Sequence, residues 1–452
     1  MDEGETIVAP ATAVGESAIA LVRLSGPLAR PLADGFARGR PPPSRRVWHR
    51  HYLAADGGLI DDVLFCFFEG PSSYTGEDVL EISCHGNPLI VRRIVDDLVG
   101  RGCRLAEPGE FTRRGFLNGK MDLTSAEAVI DVIRARSDRA LDAAQRQLRG
   151  ELGRRIESLV DRVLRTCAAI EAYIDFPEED LPGEDRAARI GELDRLLGEI
   201  RGLRMTQRHH ELLHEGVRVV LLGEPNAGKS SLMNRFAGYE RAIVSALPGT
   251  TRDFLEEGVL IGPHRIRIVD TAGLREAGAE VERAGVRQTQ SVAERADVFL
   301  LVVDATMPFP TLPAGLSPRL RADNTVIVRN KIDLPHELVL AGAAPGIRLV
   351  NVSTLFGTGL EDLNRAIVEV VDGITATGTH DEGVAVNLRH ARALEETALC
   401  LSDGRELLRS GDALELIGSA LRGAVSALER IVGRIDNEAM LDRLFAEFCI
   451  GK

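Results

Sequence analysis

Gly223-Glu224-Pro225-Asn226-Ala227-Gly228-Lys229-Ser230 sets glycine, lysine and a hydroxyl at the spacing G-x-x-x-x-G-K-S. Each residue type has a reason to be there if the ligand is a polyphosphate. Glycines let successive backbone N–H groups turn toward one anion. Lys229 is a compact charge that reaches the outer phosphates, and the Ser230 hydroxyl is a hard ligand for Mg²⁺. The motif works only between a strand and a helix. Val217 to Leu222 reads as a buried strand, and Ser231 to Ala237 reads as a helix whose positive N-terminal end adds to the cradle. Asn226, Ala227, Gly228, Lys229, Ser230 and Ser231 are therefore the expected phosphate site.

Three more elements follow in order. Ile266 to Val269 reads as a strand ending in Asp270-Thr271-Ala272-Gly273, a D-x-x-G whose Asp reaches Mg²⁺ through water and whose Gly N–H senses the terminal phosphate. A strand over Thr325 to Arg329 runs into Asn330-Lys331-Ile332-Asp333. The Asp333 carboxylate can accept from guanine N1–H and N2–H₂, whereas adenine offers neither donor there. Pairing of that kind discriminates by roughly 10⁴ or more. Ser353-Thr354, after a strand over Ile347 to Val352, stands where a last loop would touch the base. One N-K-x-D alone fits a solvated loop; the four motifs in this order indicate a guanine-nucleotide GTPase.

Hydrolysis needs an oriented water. Ras-like enzymes use a Gln just after D-x-x-G, but here that position is Leu274, which can neither donate nor accept a proton. Arg252 and Arg275 are candidates for charge stabilisation. The chain has 55 Lys plus Arg, of which four are lysine, so with 51 arginines a nearby one carries little weight. Asn226 offers a side-chain oxygen beside the β- and γ-phosphate positions, where a monovalent cation would neutralise developing charge as an arginine finger does.

The scarce lysines are Lys120, Lys229, Lys331 and Lys452. A lysine kept in so arginine-rich a chain marks a position where a planar fork does not serve. Two of the four lie in the motifs above.

The elements that position these groups can be read from texture. At 452 residues the chain is too long for one core. Short β-like runs (Ala18 to Leu24, Val63 to Phe68, Val79 to Ser83) with one helical stretch, Leu89 to Leu98, make residues 1–119 a small α/β domain. Residues 120–215 and 374–452 carry apolar residues at helical spacing. Residues 216–373 alternate strands and helices. The expected fold is thus α/β plus α, a helical domain made discontinuous by an inserted Ras-like P-loop domain; two separate helical domains are the alternative. Apolar residues make up 44% and charged residues 27%, ordinary for a soluble globular chain. No apolar run is long enough for a membrane span, and the acidic start Met1-Asp2-Glu3 is not a secretory leader. Six scattered cysteines without a C-x-x-C pair fit reduced thiols in a cytoplasm. The formal net charge of -13 disfavours unaided nucleic-acid binding, so a polyanionic partner must find a local basic patch or a helper protein.

With these motifs the chain resembles the MnmE (TrmE) family of tRNA-modifying GTPases, over essentially its whole length. The marks are Val22-Arg23-Leu24-Ser25-Gly26, Tyr74-Thr75-Gly76-Glu77-Asp78-Val79-Leu80-Glu81, Pro108-Gly109-Glu110-Phe111-Thr112, Phe116-Leu117-Asn118-Gly119-Lys120, Gly249-Thr250-Thr251-Arg252-Asp253 and the terminal Cys449-Ile450-Gly451-Lys452. The resemblance implies an N-terminal folate-binding domain that forms a homodimer, and GTP hydrolysis triggered when two G domains meet across K⁺. By the same resemblance Ser245, Ala246, Leu247, Pro248, Gly249, Thr250 and Thr251 join the GTP site. Asn226, Ser245, Leu247 and Thr250 would hold K⁺, Ser230 and Thr251 would hold Mg²⁺, and Glu282 would align the water that Leu274 cannot. Arg23, Glu81, Lys120 and Lys452 match positions that bind a 5-formyl- or 5,10-methylene-tetrahydrofolate, cations suiting its glutamate tail and a carboxylate its ring N–H donors.

The implied partner is an MnmG-like flavoprotein, carrying the FAD, in a heterotetramer that would also supply most of the contact with tRNA. The implied product is a carboxymethylaminomethyl or aminomethyl group on the wobble uridine. Two other readings stay open: a GTPase binding switch in ribosome assembly without modification chemistry, and a folate enzyme whose G domain only regulates. Cys449 at an apolar helix end reads as a packed small hydrophobe, with a nucleophile as the alternative. The apolar Leu444, Phe445 and Phe448 before it imply a docked chain end. Thr354 departs from the Ala common in the family.

Overall fold

Alternation of apolar and polar residues sets the first sheet, and continuous apolar runs set the second. In the computed structural model the described residues are 4–37, 43–175, 183–239, 256–270, 294–310, 316–335, 346–376, 384–411, 414–434 and 438–451. They fall into two compact units. One comprises Met1–Ile133, Gln145–Arg189 and Leu399–Lys452; the other comprises Arg134–Ala144 and Ile190–Ala398.

The first unit holds β1 (Ile7–Pro10), β2 (Ser17–Ser25), β3 (Val47–Leu53), β4 (Leu59–Phe68), β5 (Val79–Gly86) and β6 (Arg104–Leu105), in the order β3-β4-β5-β2-β1-β6. Only the β1–β6 pairing is parallel. Because side chains alternate across a strand, Val63, Phe65 and Phe67 of β4 all face one side. There they pack with Tyr52, Leu80 and Ile82 against the helices α1 (Ala29–Phe36) and α2 (Pro88–Gly100). Asn87 caps α2 by accepting from the Leu89 N–H at 2.8 Å, and Pro88 occupies the first helical position, where no N–H is needed. Helix α1 is an addition to the single helical stretch expected in this region. Pro31 argues against a helix in sequence, but it falls in the first turn, where proline is tolerated.

The same unit continues through α3 (Glu110–Leu117), the start of α4 (Leu123–Arg134), α6 (Glu151–Asp175), α11 (Leu414–Val432) and α12 (Glu438–Ala446). Helices α6 and α11 pack along one another. Ile417, Leu421, Ala424, Leu428 and Ile431 recur on α11 at helical spacing and are all buried. Beyond α12, Phe448 joins Phe445, Leu441, Leu123 and Ala126 in a separate small core. Burying each phenylalanine contributes on the order of 2 kcal/mol, so the chain end is docked, as its apolar residues imply.

The second unit holds β7 (Val217–Leu222), β8 (Glu256–Ile261), β9 (His264–Asp270), β10 (Val298–Asp304), β11 (Thr325–Asn330) and β12 (Arg348–Asn351), in the order β12-β11-β10-β7-β9-β8. Every pair is parallel except β8–β9. Strands β7, β10 and β11 are apolar on both faces because both faces are covered. Val219, Leu221, Leu300 and Val328 point into one core, with Leu232 and Phe236 of α8 (Lys229–Tyr239) and Leu363 and Ile367 of α9 (Leu360–Ala376). Val220, Leu222, Leu301 and Ile327 point into the other. In an open parallel sheet, ligands meet the carboxyl ends of the strands. The register puts Leu301 beside Leu222, Asp304 beside Asn330 and Asp270 beside Leu221, so the sequence motifs leave the sheet along one edge. The other α-helices among the described residues are α5 (Asp138–Leu148), α7 (Gly183–Glu215) and α10 (Leu388–Ser410).

Candidate functional site

Where β7 ends, the chain wraps into a loop before α8. Asn226 sits in the left-handed region at φ 64, a conformation asparagine tolerates better than most residues, and it is exposed. Gly228 has φ 102, and a Cβ there would stand 2.0 Å from Asn330 Nδ2. Only glycine lets the loop lie so close to β11. Lys229 is 5% exposed and donates from Nζ to the Gly223 and Glu224 carbonyls at 2.9 and 2.8 Å. It thereby spans the loop it would share with a phosphate. Ser230 and Ser231 are exposed at the start of α8. A cleft of about 260 Å³ runs beside the loop, lined by Asn226, Ala227, Val302 and Asp304.

At the end of β11, Asn330 is fully buried and ties two loops together. Its Nδ2 donates to Ala227 O at 2.9 Å, and its Oδ1 accepts from the Thr354 N–H at 3.1 Å. Lys331 has φ 64 and pairs with Asp304 through Nζ to Oδ2 at 2.5 Å. Burial alone would raise the Asp304 pKa. The Lys331 ammonium and the N–H and hydroxyl of Thr306 outweigh it and hold the carboxyl below its ordinary value. Asp333 is exposed, and one of its oxygens accepts from Ser353 Oγ at 2.6 Å. Ile332 N–H donates to Val352 O at 3.4 Å, and Ser353 pairs with Thr358 in an isolated bridge. Arg235 of α8 donates to the carbonyls of Thr354 and Leu355 at 2.8 and 2.6 Å, fixing the last loop. Nothing in the sequence singles out Asp304 or Arg235. Asp304 merely ends an apolar run, and Arg235 is one arginine among many.

The structure therefore brings Ala227, Asn330, Asp333, Ser353 and Thr354 together through hydrogen bonds, with Gly228 packed close to Asn330 and Lys331 paired with Asp304. Asp270 ends β9, and its side chain lies outside the described residues. So do Ser245, Ala246, Leu247, Pro248, Gly249, Thr250, Thr251, Thr271, Ala272, Gly273, Glu282 and Lys452, and with them Arg252, Leu274 and Arg275.

The other expected group lies in the first unit. Arg23 of β2 and Glu81 of β5 are cross-strand neighbours, and Arg23 Nε and Nη2 both donate to Glu81 Oε1 at 2.9 and 2.7 Å. The Arg23 guanidinium lies 5.7 Å from the Tyr74 ring centre and 5.9 Å from that of Phe111. Lys120 reaches the same loop as Tyr74, donating to Pro71 O at 2.8 Å. Asn118 Nδ2 donates to Thr75 O at 2.7 Å. Buried Glu110 gathers Arg104 and Arg114 behind this loop at 2.6 and 3.0 Å; burial would raise its pKa, but the two guanidiniums and the Glu107 N–H hold it below the usual range. Gly451 has φ 92, and a Cβ on it would meet Pro10 O at 2.1 Å. Pro10 adjoins Ala9, the strand partner of Arg23, so Gly451 lies one strand away from Arg23. Cys449 is exposed, with its carbonyl accepting from Gly109 N–H at 3.4 Å.

The family model described as GTP-binding protein TrmE N-terminus matches residues 6–120, and that described as MnmE helical domain matches residues 123–449. The chain is 49% identical over 449 residues to the tRNA modification GTPase MnmE of Opitutus terrae, covering 99% of each. It is 42% identical over 472 residues to that of Symbiobacterium thermophilum, covering 99% of each. With that of Akkermansia muciniphila the identity is 41% over 464 residues, covering 100% of each. Among solved structures, the G domain of the T. maritima FeoB iron transporter is 26% identical, covers 34% of this chain and 98% of that one, and has a TM-score of 0.25.

Proposed function

The chain belongs to the MnmE family of tRNA modification GTPases, and from that premise we propose that it hydrolyses GTP to drive modification of the wobble uridine of certain tRNAs. The observation that carries the nucleotide half is the group at the ends of β11 and β12, where Ser353 holds Asp333 and Asn330 ties the base loop to the phosphate loop. In this reading Asp333 accepts from the two guanine donors, and Lys229 turns from its loop carbonyls toward the β- and γ-phosphates. The loop fits cations as well as anions. The hydroxyl of Ser230 at its helix end and the carboxamide of Asn226 midway along it, both on exposed residues, are hard oxygen donors. Ser230 with Thr251 would hold Mg²⁺, and Asn226 with Thr250 and the backbones of Ser245 and Leu247 would hold K⁺. These ions would supply neutralising charge at the transferring phosphoryl group. Glu282 would orient the water. Turnover should then fall by about tenfold or more when Na⁺ replaces K⁺; equal steady-state rates in the two salts would refute the K⁺ assignment.

In the N-terminal region, Arg23, Glu81, Lys120 and Lys452 would bind a tetrahydrofolate derivative. The Arg23–Glu81 pair supports this, because a facing cation and carboxylate can separate onto the tail carboxylates and ring N–H donors of such a ligand. Homodimerisation through this region, a flavoprotein partner with FAD, and tRNA contact largely through that partner complete the proposal. Glu81→Gln tests the folate half. GTP turnover should stay within about twofold, while folate binding, read by equilibrium dialysis, weakens by about tenfold or more. Unchanged folate binding would remove Glu81 from the site.

A further inference from the structure

Residues 38–52 contain Arg38, Arg40, Arg45, Arg46, His49, Arg50 and His51 and no acidic residue, in a chain of net charge -13. From Val47 the run forms β3, an edge strand of the first sheet whose bonded neighbour among the described residues is β4, and Arg45 and Arg46 lie in the short segment just before it. Its even-numbered residues share a face. Tyr52 is fully buried, Trp48 is partly buried, and the Arg50 guanidinium lies over the Trp48 ring at 5.0 Å from its centre.

Arg46 and Arg50 have no ion-pair partner among the described residues. Arg45 donates to the Ser72 carbonyl at 2.8 Å and not to a carboxylate. His51 pairs with Asp62, and Arg101 with Asp97. An open cleft of about 600 Å³ runs between α1 and this edge. Its polar side chains are His49, Arg50, His51 and Arg101, its apolar lining includes Leu32 and Phe36, and no carboxylate among the described residues lines it.

Uncompensated guanidiniums four residues apart in one segment, Arg46 just before β3 and Arg50 on it, are costly in self-repulsion unless an anion joins them. Charges on an edge strand also deter strand addition, but that role needs neither a cation-lined cleft nor an arginine laid on a tryptophan. A planar fork matches a phosphate, and aromatic faces beside cations suit nucleobases. We propose that the free edge of β3, with the cleft beside α1, contacts the phosphodiester backbone of the tRNA substrate. The inference rests on the tRNA role proposed above. It gives this acidic chain a local contact of its own, subsidiary to that of the flavoprotein.

The test measures binding of an unmodified tRNA transcript to the full-length chain over a range of salt concentrations. Arg46→Gln/Arg50→Gln should weaken binding by about tenfold at low salt and flatten the slope of log K against log salt by about one to two. Arg46→Gln alone, at a side chain that supports nothing else in the described fold, should give about half of that slope change. GTP turnover should be unchanged in both, since neither arginine belongs to the nucleotide site. Arg92→Gln/Arg93→Gln on α2 removes the same charge elsewhere and should bind as the unaltered chain does. An equal loss in that control would make the effect one of net charge and overturn the proposal. Unaltered RNA binding by the Arg46→Gln/Arg50→Gln variant, with a new tendency to self-associate, would make the arginines edge guards and overturn it too. Absence of any binding at low salt by the unaltered chain would do the same, while wobble-uridine analysis in cells would still decide the tRNA role independently.

Discussion

Asp333→Asn should change the preferred base from guanine to xanthine, lowering GTP affinity by about 10³-fold or more. Guanine presents two donors, N1–H and N2–H₂, and a carboxylate can accept both. Ser353 Oγ engages one Asp333 oxygen at 2.6 Å, which fixes the plane of the carboxylate before any ligand arrives. An asparagine in that place aims an NH₂ group at one of the guanine donors, so two donors face each other and neither is satisfied. Xanthine replaces the C2 amine by a carbonyl, which can accept from the new NH₂. Titration calorimetry with GTP and then XTP should show loss of the first and recovery with the second. GTP affinity within tenfold of the original would mean that Asp333 does not read the base.

Lys229→Arg should abolish turnover although the charge is kept, with single-turnover hydrolysis falling by about 10³-fold. Lys229 is 5% exposed and already reaches the Gly223 and Glu224 carbonyls at 2.9 and 2.8 Å, so the loop closes tightly around a compact ammonium. A guanidinium is larger, planar and fixed in its donor directions. Accommodating it would displace Gly228, which has no room to move toward Asn330. If the arginine variant hydrolyses GTP within tenfold of the unaltered rate, charge alone suffices and the shape of the cradle is irrelevant.

How far the sequence discloses this arrangement depends on whether the information is local. The strands leading into Gly223, Asp270 and Asn330 are legible because a buried parallel strand must be apolar throughout, and each motif must follow one. The docking of the chain end is legible from Phe445 and Phe448 for a related reason: two aromatics beside a terminus need a core. Helix α1 is not legible, because Pro31 in a first turn looks the same as Pro31 in a loop. The pairing of Lys331 with Asp304 is set by the register between β10 and β11, which no local pattern encodes. The same holds for Arg23 and Glu81, 58 residues apart and joined by the register of β2 with β5. Of the scarce lysines, Lys229 and Lys120 each donate to a loop carbonyl and Lys331 pairs with Asp304 at a strand end.

The most direct test of the proposed function is mass analysis of wobble uridines in tRNA from cells lacking this protein. Loss of the C5 carboxymethylaminomethyl or aminomethyl group from a subset of tRNAs is expected, restored by the unaltered chain and not by Lys229→Arg. Wobble uridines with an unchanged modification pattern in the deleted cells would contradict a role in tRNA modification.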